Sequence, residues 1–304
     1  MNEPLFDSRF ALTRRRVNGV EINLRHDTAG DPARPPLLLV HGFPQTHAIW
    51  HRVAPRLAER YRLVMPDLRG YGDSDKPASQ PDHSTYSKRA MAADLHALML
   101  SLGFEQYFVC GHDRGGRVSH RLALDQPQAV RRLMLLDISP TLTMYERTTR
   151  EFAEGYYHWF FLIQPAPLPE RLIGSDPVFY LHWKIGAWSA AGTSIFDPRA
   201  LAEYERCFAD PAAIHAMCED YRAAASIDLE HDRADLARRI ECPVHVLWGE
   251  RGLVNRLFTP ISDWQARTGP SVSGCLSPGG HYVPEEAPDL LIREILGFFG
   301  PASR

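Results

Sequence analysis

The sequence predicts an α/β fold, with a mostly parallel central sheet and a helical lid inserted between two strands. Three observations predict it. Short apolar runs recur along the chain, each stopping at a glycine, proline or acidic residue, as strands buried on both faces do. Stretches with helical apolar spacing alternate with these runs. The alternation then lapses in one long segment rich in aromatic and helix-forming residues.

Near the start, Arg14-Arg15-Arg16 leads into Val17-Asn18-Gly19-Val20, whose Asn-Gly pair marks a tight hairpin turn. The three arginines read as the solvated face of a strand. The run Pro36-Leu37-Leu38-Leu39-Val40 stops at His41-Gly42, and Leu63-Val64-Met65 stops at Pro66-Asp67. A helix is predicted over 87–102, with Met91, Leu95, Leu98 and Met99 on one face. Phe108-Val109-Cys110 runs into Gly111-His112-Asp113, and Leu133-Met134-Leu135-Leu136 ends at Asp137. No strand-like run follows from Pro140 to about Asp235, and strand character resumes at Cys242-Pro243-Val244. The expected organisation is a core over 1–139 and 236–304, with a helical cap over 140–235. Ligands of open α/β sheets bind at the carboxyl edge, so strand-end and cap residues should share one pocket.

Composition narrows the function classes. The formal net charge of -3 gives no global positive field for nucleic acid or an anionic membrane. No apolar run approaches the length of a bilayer span, and the opening MNEPLFDSRF has no basic segment followed by an apolar one. Cys110, Cys207, Cys218, Cys242 and Cys275 are scattered without a C-x-x-C, which points to a reducing cytoplasm and away from zinc. No histidine pair has metal-ligand spacing, so neither metal nor cofactor is expected.

The chemistry-bearing motif is Gly111-His112-Asp113-Arg114-Gly115, a nucleophile elbow G-x-S-x-G with aspartate in place of serine. A lone G-x-D-x-G is weak evidence, but three further features fall where an α/β-hydrolase needs them. His41-Gly42-Phe43-Pro44 ends an early strand, where a backbone N–H can serve an oxyanion hole. Asp67-Leu68-Arg69-Gly70-Tyr71-Gly72-Asp73-Ser74 suits the loop after the next strand, and Gly279-Gly280-His281 lies near the C-terminus, in the position of a catalytic histidine.

The chain resembles the fluoroacetate (haloacetate) dehalogenase family over essentially its whole length. The stretches that carry the resemblance are HGFPQTHAIW, GHDRGGR, LLDISPT, YYHWFFLIQP, CEDYRAAASIDLEHD and GGHYVPEEAP. Related α/β-hydrolases with an elbow aspartate typically have tryptophan after it, where this sequence has Arg114. Arg114 and Arg117 lie three residues apart on one helix face beginning at Asp113. A random arginine pair there would be a solvated face; beside a nucleophile, two guanidiniums suit a small carboxylate substrate.

The resemblance implies that Asp113 displaces halide from a 2-haloacid to form an enzyme ester, and that His281 activates the water that hydrolyses it. Backbone N–H groups of Phe43 and Arg114 would hold the oxyanion. The acid behind His281 is Asp137 or Glu250, each following a strand; the resemblance favours Asp137. It also assigns His158, Trp159 and Tyr221 to the halide, although aromatics in a helical cap commonly just fill space. Lys184 and Trp188 stay outside that set. A homodimer is implied in the same way. An epoxide hydrolase using the same Asp-His-Asp machinery is the alternative, but it gives Arg114 and Arg117 no evident purpose.

Overall fold

The computed structural model describes residues 4–27 and 31–300. Met1, Asn2 and Glu3, which open the segment inspected for a leader, lie outside the described residues. One eight-stranded sheet has the order β1-β2-β4-β3-β5-β6-β7-β8. Its strands are β1 (Phe10–Val17), β2 (Val20–Asp27), β3 (Pro36–Val40), β4 (Arg62–Pro66), β5 (Tyr107–His112), β6 (Val130–Leu136), β7 (Val244–Gly249) and β8 (Val272–Ser277). The β1–β2 and β2–β4 pairs are antiparallel and the remaining five pairs are parallel.

The continuous apolar runs are explained by burial on both faces. Leu38 and Val40 point into one core while Leu37 and Leu39 point into the other. Val109 and Cys110 divide in the same way, as do Leu135 and Leu136. Truncating a side chain such as Leu38 would remove apolar area from water-free packing at about 2–5 kcal/mol. At the hairpin, Asn18 and Gly19 have φ of 46° and 83°, which suits a two-residue turn, and Arg14, Arg15 and Arg16 are exposed.

Strand β8 has no counterpart in the sequence reading. Its residues, Val-Ser-Gly-Cys-Leu-Ser, mix small, polar and apolar side chains and are mostly partly exposed or exposed, so they carry little strand signal. Parallel pairing with β7, from Val244↔Val272 to Gly249↔Ser277, defines it instead.

Between β6 and β7 the chain is helical from Thr141–Glu146 through Ile227–Ala234, with no strand among the described residues. The predicted helix over 87–102 spans Lys88–Ser101, capped by the Ser87 side chain on the Ala90 N–H. Among the described residues, no helix is long and apolar enough to cross a membrane.

Candidate active site

The site begins at the turn between β5 and the helix Asp113–Asp125. Asp113 has φ of 45°, in the left-handed region that side chains other than glycine seldom adopt. The turn survives because its flanking glycines let backbone meet backbone. A Cβ on Gly115 would lie 2.1 Å from His41 O, and one on Gly111 would lie 2.5 Å from Ser119 Oγ. The elbow therefore needs glycine at both positions, and Asp113 is thrust toward the strand ends. The Phe43 N–H donates to Asp113 Oδ2 at 3.1 Å. No hydrogen bond joins the Arg114 N–H to that carboxylate among the described residues.

His281 follows β8 and is 4% exposed. Its Nδ1 lies 2.5 Å from Asp137 Oδ2, while Asp137 Oδ1 accepts from the Gly249 N–H at 2.8 Å. An ionised carboxylate can only accept, so Nδ1 carries a proton and Nε2 is the bare nitrogen; Nε2 is buried without a hydrogen-bond partner. Asp137 has φ of 51°, so the loop after β6 is bent as sharply as the elbow. Glu250 is exposed, and its N–H donates to Ser277 O. It is Asp137, not Glu250, that the fold brings to His281.

Burial favours a neutral Asp113, but the charges of His281, Arg117 and Arg114 outweigh it and hold the carboxyl below its ordinary range. For His281, burial lowers the pKa, and the hydrogen bond and charge of Asp137, aided by Asp113, raise it above the ordinary value. Each shift runs toward the charged form of its own group.

The two arginines are not equivalent. Arg114 is fully buried, and Asp220 binds it in bidentate fashion: Nε to Oδ2 at 2.9 Å and Nη2 to Oδ1 at 2.7 Å. Its guanidinium lies 4.1 Å over the Tyr221 ring, and Nη1 alone lacks a partner. Arg117 is bonded only to neutral groups: Ser139 O at 3.2 Å, Thr141 Oγ1 at 2.9 Å and Met144 Sδ at 3.3 Å. Its Nε is buried without a partner, and it lies 4.7 Å over the Trp159 ring. No carboxylate forms a salt bridge with Arg117 among the described residues. Burial lowers its pKa, with the charge of Asp113 acting the other way.

Helices between β6 and β7 close the site. His158, in the helix His158–Phe161, is fully buried, and neither ring nitrogen has a partner. Burial, then the charges of Lys184 and Arg114, keep it well below the ordinary histidine range. Tyr221, from the helix Pro211–Ala225, packs 5.3 Å from both His158 and Phe43, and its hydroxyl is buried without a partner. Trp159 is 2% exposed and packs 4.9 Å from Tyr145. The fold thus gathers Asp113, His281, Asp137, Arg114, Arg117, His158, Trp159, Tyr221 and Phe43 around one point.

One further group escaped the sequence reading, and a second, Lys184, was left outside the halide set. Asp220 accepts from Arg114 and from the Tyr71 hydroxyl at 2.6 Å, and it also pairs with Lys88. These charges hold it below the ordinary carboxylate range despite full burial. Its signal was a carboxylate directly before Tyr221 in a stretch already singled out. Lys184, on the helix Pro177–Trp188, is 1% exposed and lies over the rings of Tyr157 and Trp188, at 4.2 and 4.1 Å. Trp188 in turn packs 4.4 Å from His158 and 5.1 Å from His281. Burial lowers the Lys184 pKa to about 7, with Asp113 opposing the shift.

Residues 35–287 match the family described as alpha/beta hydrolase fold. The chain is 48% identical over 268 residues to a fluoroacetate dehalogenase from Burkholderia sp, covering 88% of each chain. It is 32% identical to a soluble epoxide hydrolase from Corynebacterium sp. (strain C12), covering 94% of this chain and 96% of the relative. Among solved structures, ALR0039 from Nostoc sp PCC 7120 superposes with a TM-score of 0.94 at 52% identity, covering 97% of this chain and 99% of that one. With an elbow aspartate and a histidine–carboxylate pair at its strand ends, the chain belongs to the α/β-hydrolases and, within them, to the fluoroacetate dehalogenase family.

Proposed function

We propose that the protein hydrolyses haloacetates, converting fluoroacetate and water to glycolate and fluoride through an ester on Asp113. Arg117 carries the reading: a buried cation bonded only to neutral groups, beside a nucleophilic carboxylate, suits an anionic substrate. Arg117 Nε and Arg114 Nη1 are the free donors for the substrate carboxylate. An epoxide is uncharged and would leave Arg117 uncompensated, although the soluble epoxide hydrolase relative keeps that chemistry in view. Incubation with fluoroacetate, chloroacetate and styrene oxide, with halide and diol measured, tests the reading; diol without halide would overturn it.

In the first half-reaction, an oxygen of Asp113 attacks the alpha carbon as the carbon–halogen pair departs with the halide. His158, Trp159 and Tyr221 donate to the leaving halide. Water then loses a proton to His281 Nε2 and attacks the Asp113 carbonyl carbon, while the Phe43 N–H, already on Oδ2, holds the oxyanion. Collapse restores the Asp113 carboxylate. Glycolate leaves with a proton from His281, and the acid proton of the new carboxyl goes to solvent. Ester formation also removes the Asp113 charge that helps keep His281 protonated. Alkylation thereby pushes His281 toward the neutral base that the second half needs.

Asp137 orients His281, and residues 140–235 act as the cap. Asp137→Ala is expected to slow ester hydrolysis far more than Glu250→Ala, read as steady-state fluoride release. The reverse order would move the acid to Glu250. We also propose a homodimer, for which the exposed Leu172, Phe179 and Trp183 on the cap offer apolar surface.

Halide donation has a direction of its own. Developing fluoride concentrates its charge and accepts strong hydrogen bonds, so donors aimed at it lower the barrier more than they do for chloride. Trp159→Phe keeps an apolar ring and removes the N–H. Single-turnover defluorination is expected to fall on the order of tenfold or more, with dechlorination much less affected. Equal losses for both halides would make Trp159 a pocket wall.

Capture of the anion should depend on pH through Lys184. Its pKa is lowered to about 7, so its positive charge is present below that value and lost above it. KM for fluoroacetate is expected to rise as pH climbs through 7, and Lys184→Met should flatten that rise. A rise of the same size in the variant would remove Lys184 from substrate capture.

A further inference from the structure

Away from the catalytic loops, the C-terminal helix Pro288–Phe299 lies against the edge of the sheet, and three side chains from separate elements converge there. His245 comes from β7, Cys275 from β8 and Glu294 from the helix. One potential ligand atom from each lies within 4.8 Å of the others. His245 is 8% exposed. Its Nδ1 lies 2.7 Å from Ser273 Oγ, while its Nε2 is buried without a hydrogen-bond partner and sits 3.4 Å from Glu294 Oε2.

The spacing has a chemical meaning. Nitrogen and oxygen ligands about 2.0–2.1 Å from a tetrahedral zinc ion stand roughly 3.3 Å apart. The Nε2–Oε2 separation matches that edge. A ligating histidine typically has its other ring nitrogen held by an outer partner, which fixes the tautomer and the ring plane. Ser273 stands where that partner belongs, and Phe298 packs on the ring at 5.1 Å. Cys275 is a free thiol, and it and Glu294 are partly exposed, which leaves a route from solvent. The buried nitrogen makes no well-aligned hydrogen bond and faces only the Glu294 carboxylate at 3.4 Å, so an ion between the two would serve both.

We propose that His245, Cys275 and Glu294 bind one thiophilic divalent cation of the zinc class, with water as the fourth ligand. Binding replaces the Cys275 thiol proton, which is released to solvent, so affinity rises with pH. The ion ties β7, β8 and the C-terminal helix together. The cysteine and histidine spacing pointed away from zinc because the three ligands stand 30, 19 and 49 positions apart, which no local motif describes.

Metal-free protein titrated with Co²⁺ should take up one equivalent with a thiolate-to-cobalt absorption band in the near ultraviolet. Cys275→Ser should abolish the band, and Ser273→Ala should weaken affinity about 10–100-fold. Zn²⁺ should raise the thermal midpoint of the wild type and leave that of His245→Ala unchanged. If Cys275→Ser fails to fold, Glu294→Gln serves in its place, keeping the band with weaker binding. Absence of the band in the wild type, its survival in Cys275→Ser, or unchanged affinity in both His245→Ala and Glu294→Gln would overturn the site. Fluoride release by metal-free protein should be the same in wild type and Cys275→Ser.

Discussion

Asp113→Ala is expected to abolish halide release from fluoroacetate, a loss on the order of 10⁴-fold or more. On the proposed mechanism this carboxylate is the nucleophile, and the Phe43 N–H, Arg114 and Arg117 beside it are donors that cannot replace it. The decisive form of the experiment uses the intact enzyme. In one turnover in ¹⁸O-water with enzyme in excess, label should enter the Asp113 side chain and leave glycolate unlabelled. Label found directly in glycolate would mean that water attacks the substrate carbon, and the ester route would be wrong.

His281→Ala should separate the two halves of the reaction. Ester formation needs only Asp113 and the donors around the substrate, so the variant should still be alkylated by haloacetate. Hydrolysis needs a base at Nε2, and its loss should slow that half by about 10²–10⁴-fold. The expected result is protein carrying the mass of a carboxymethyl group on Asp113, with at most one halide released per site. Multiple turnovers at the wild-type rate would remove His281 from the mechanism. The raised pKa of His281 gives a matching pH signature. Hydrolysis should fail as pH falls and the imidazole is held protonated, whereas alkylation persists to lower pH because Asp113 stays ionised below the ordinary carboxylate range.

Legibility in the sequence followed the range of the forces involved. The elbow could be read because both its glycines stand within two positions of Asp113, although the contact that requires Gly115 is with His41 O at the end of the neighbouring strand. The buried strands were legible because each carries its own apolar run. Strand β8 was not, since it is defined by its register against β7 rather than by its own residues. The unequal state of the arginines was hidden for a similar reason. Arg114 meets Asp220 106 positions away, and Lys88 reaches the same carboxylate from 132 positions away on the other side. Arg117 looks identical in the sequence, yet it is surrounded by a carbonyl, a hydroxyl and a thioether. Composition cannot distinguish a neutralised cation from one still awaiting an anion.

The left-handed backbone at Asp113 sets stability and chemistry against each other at a single position. A side chain there costs about 1–3 kcal/mol, which glycine would not incur. Variants selected for thermal tolerance alone should therefore drift toward glycine at 113 and lose activity as they gain melting temperature. On the proposed mechanism, aspartate at 113 serves turnover at that backbone cost. A melting point that rises as activity disappears is thus an economical sign that the elbow has been released from service.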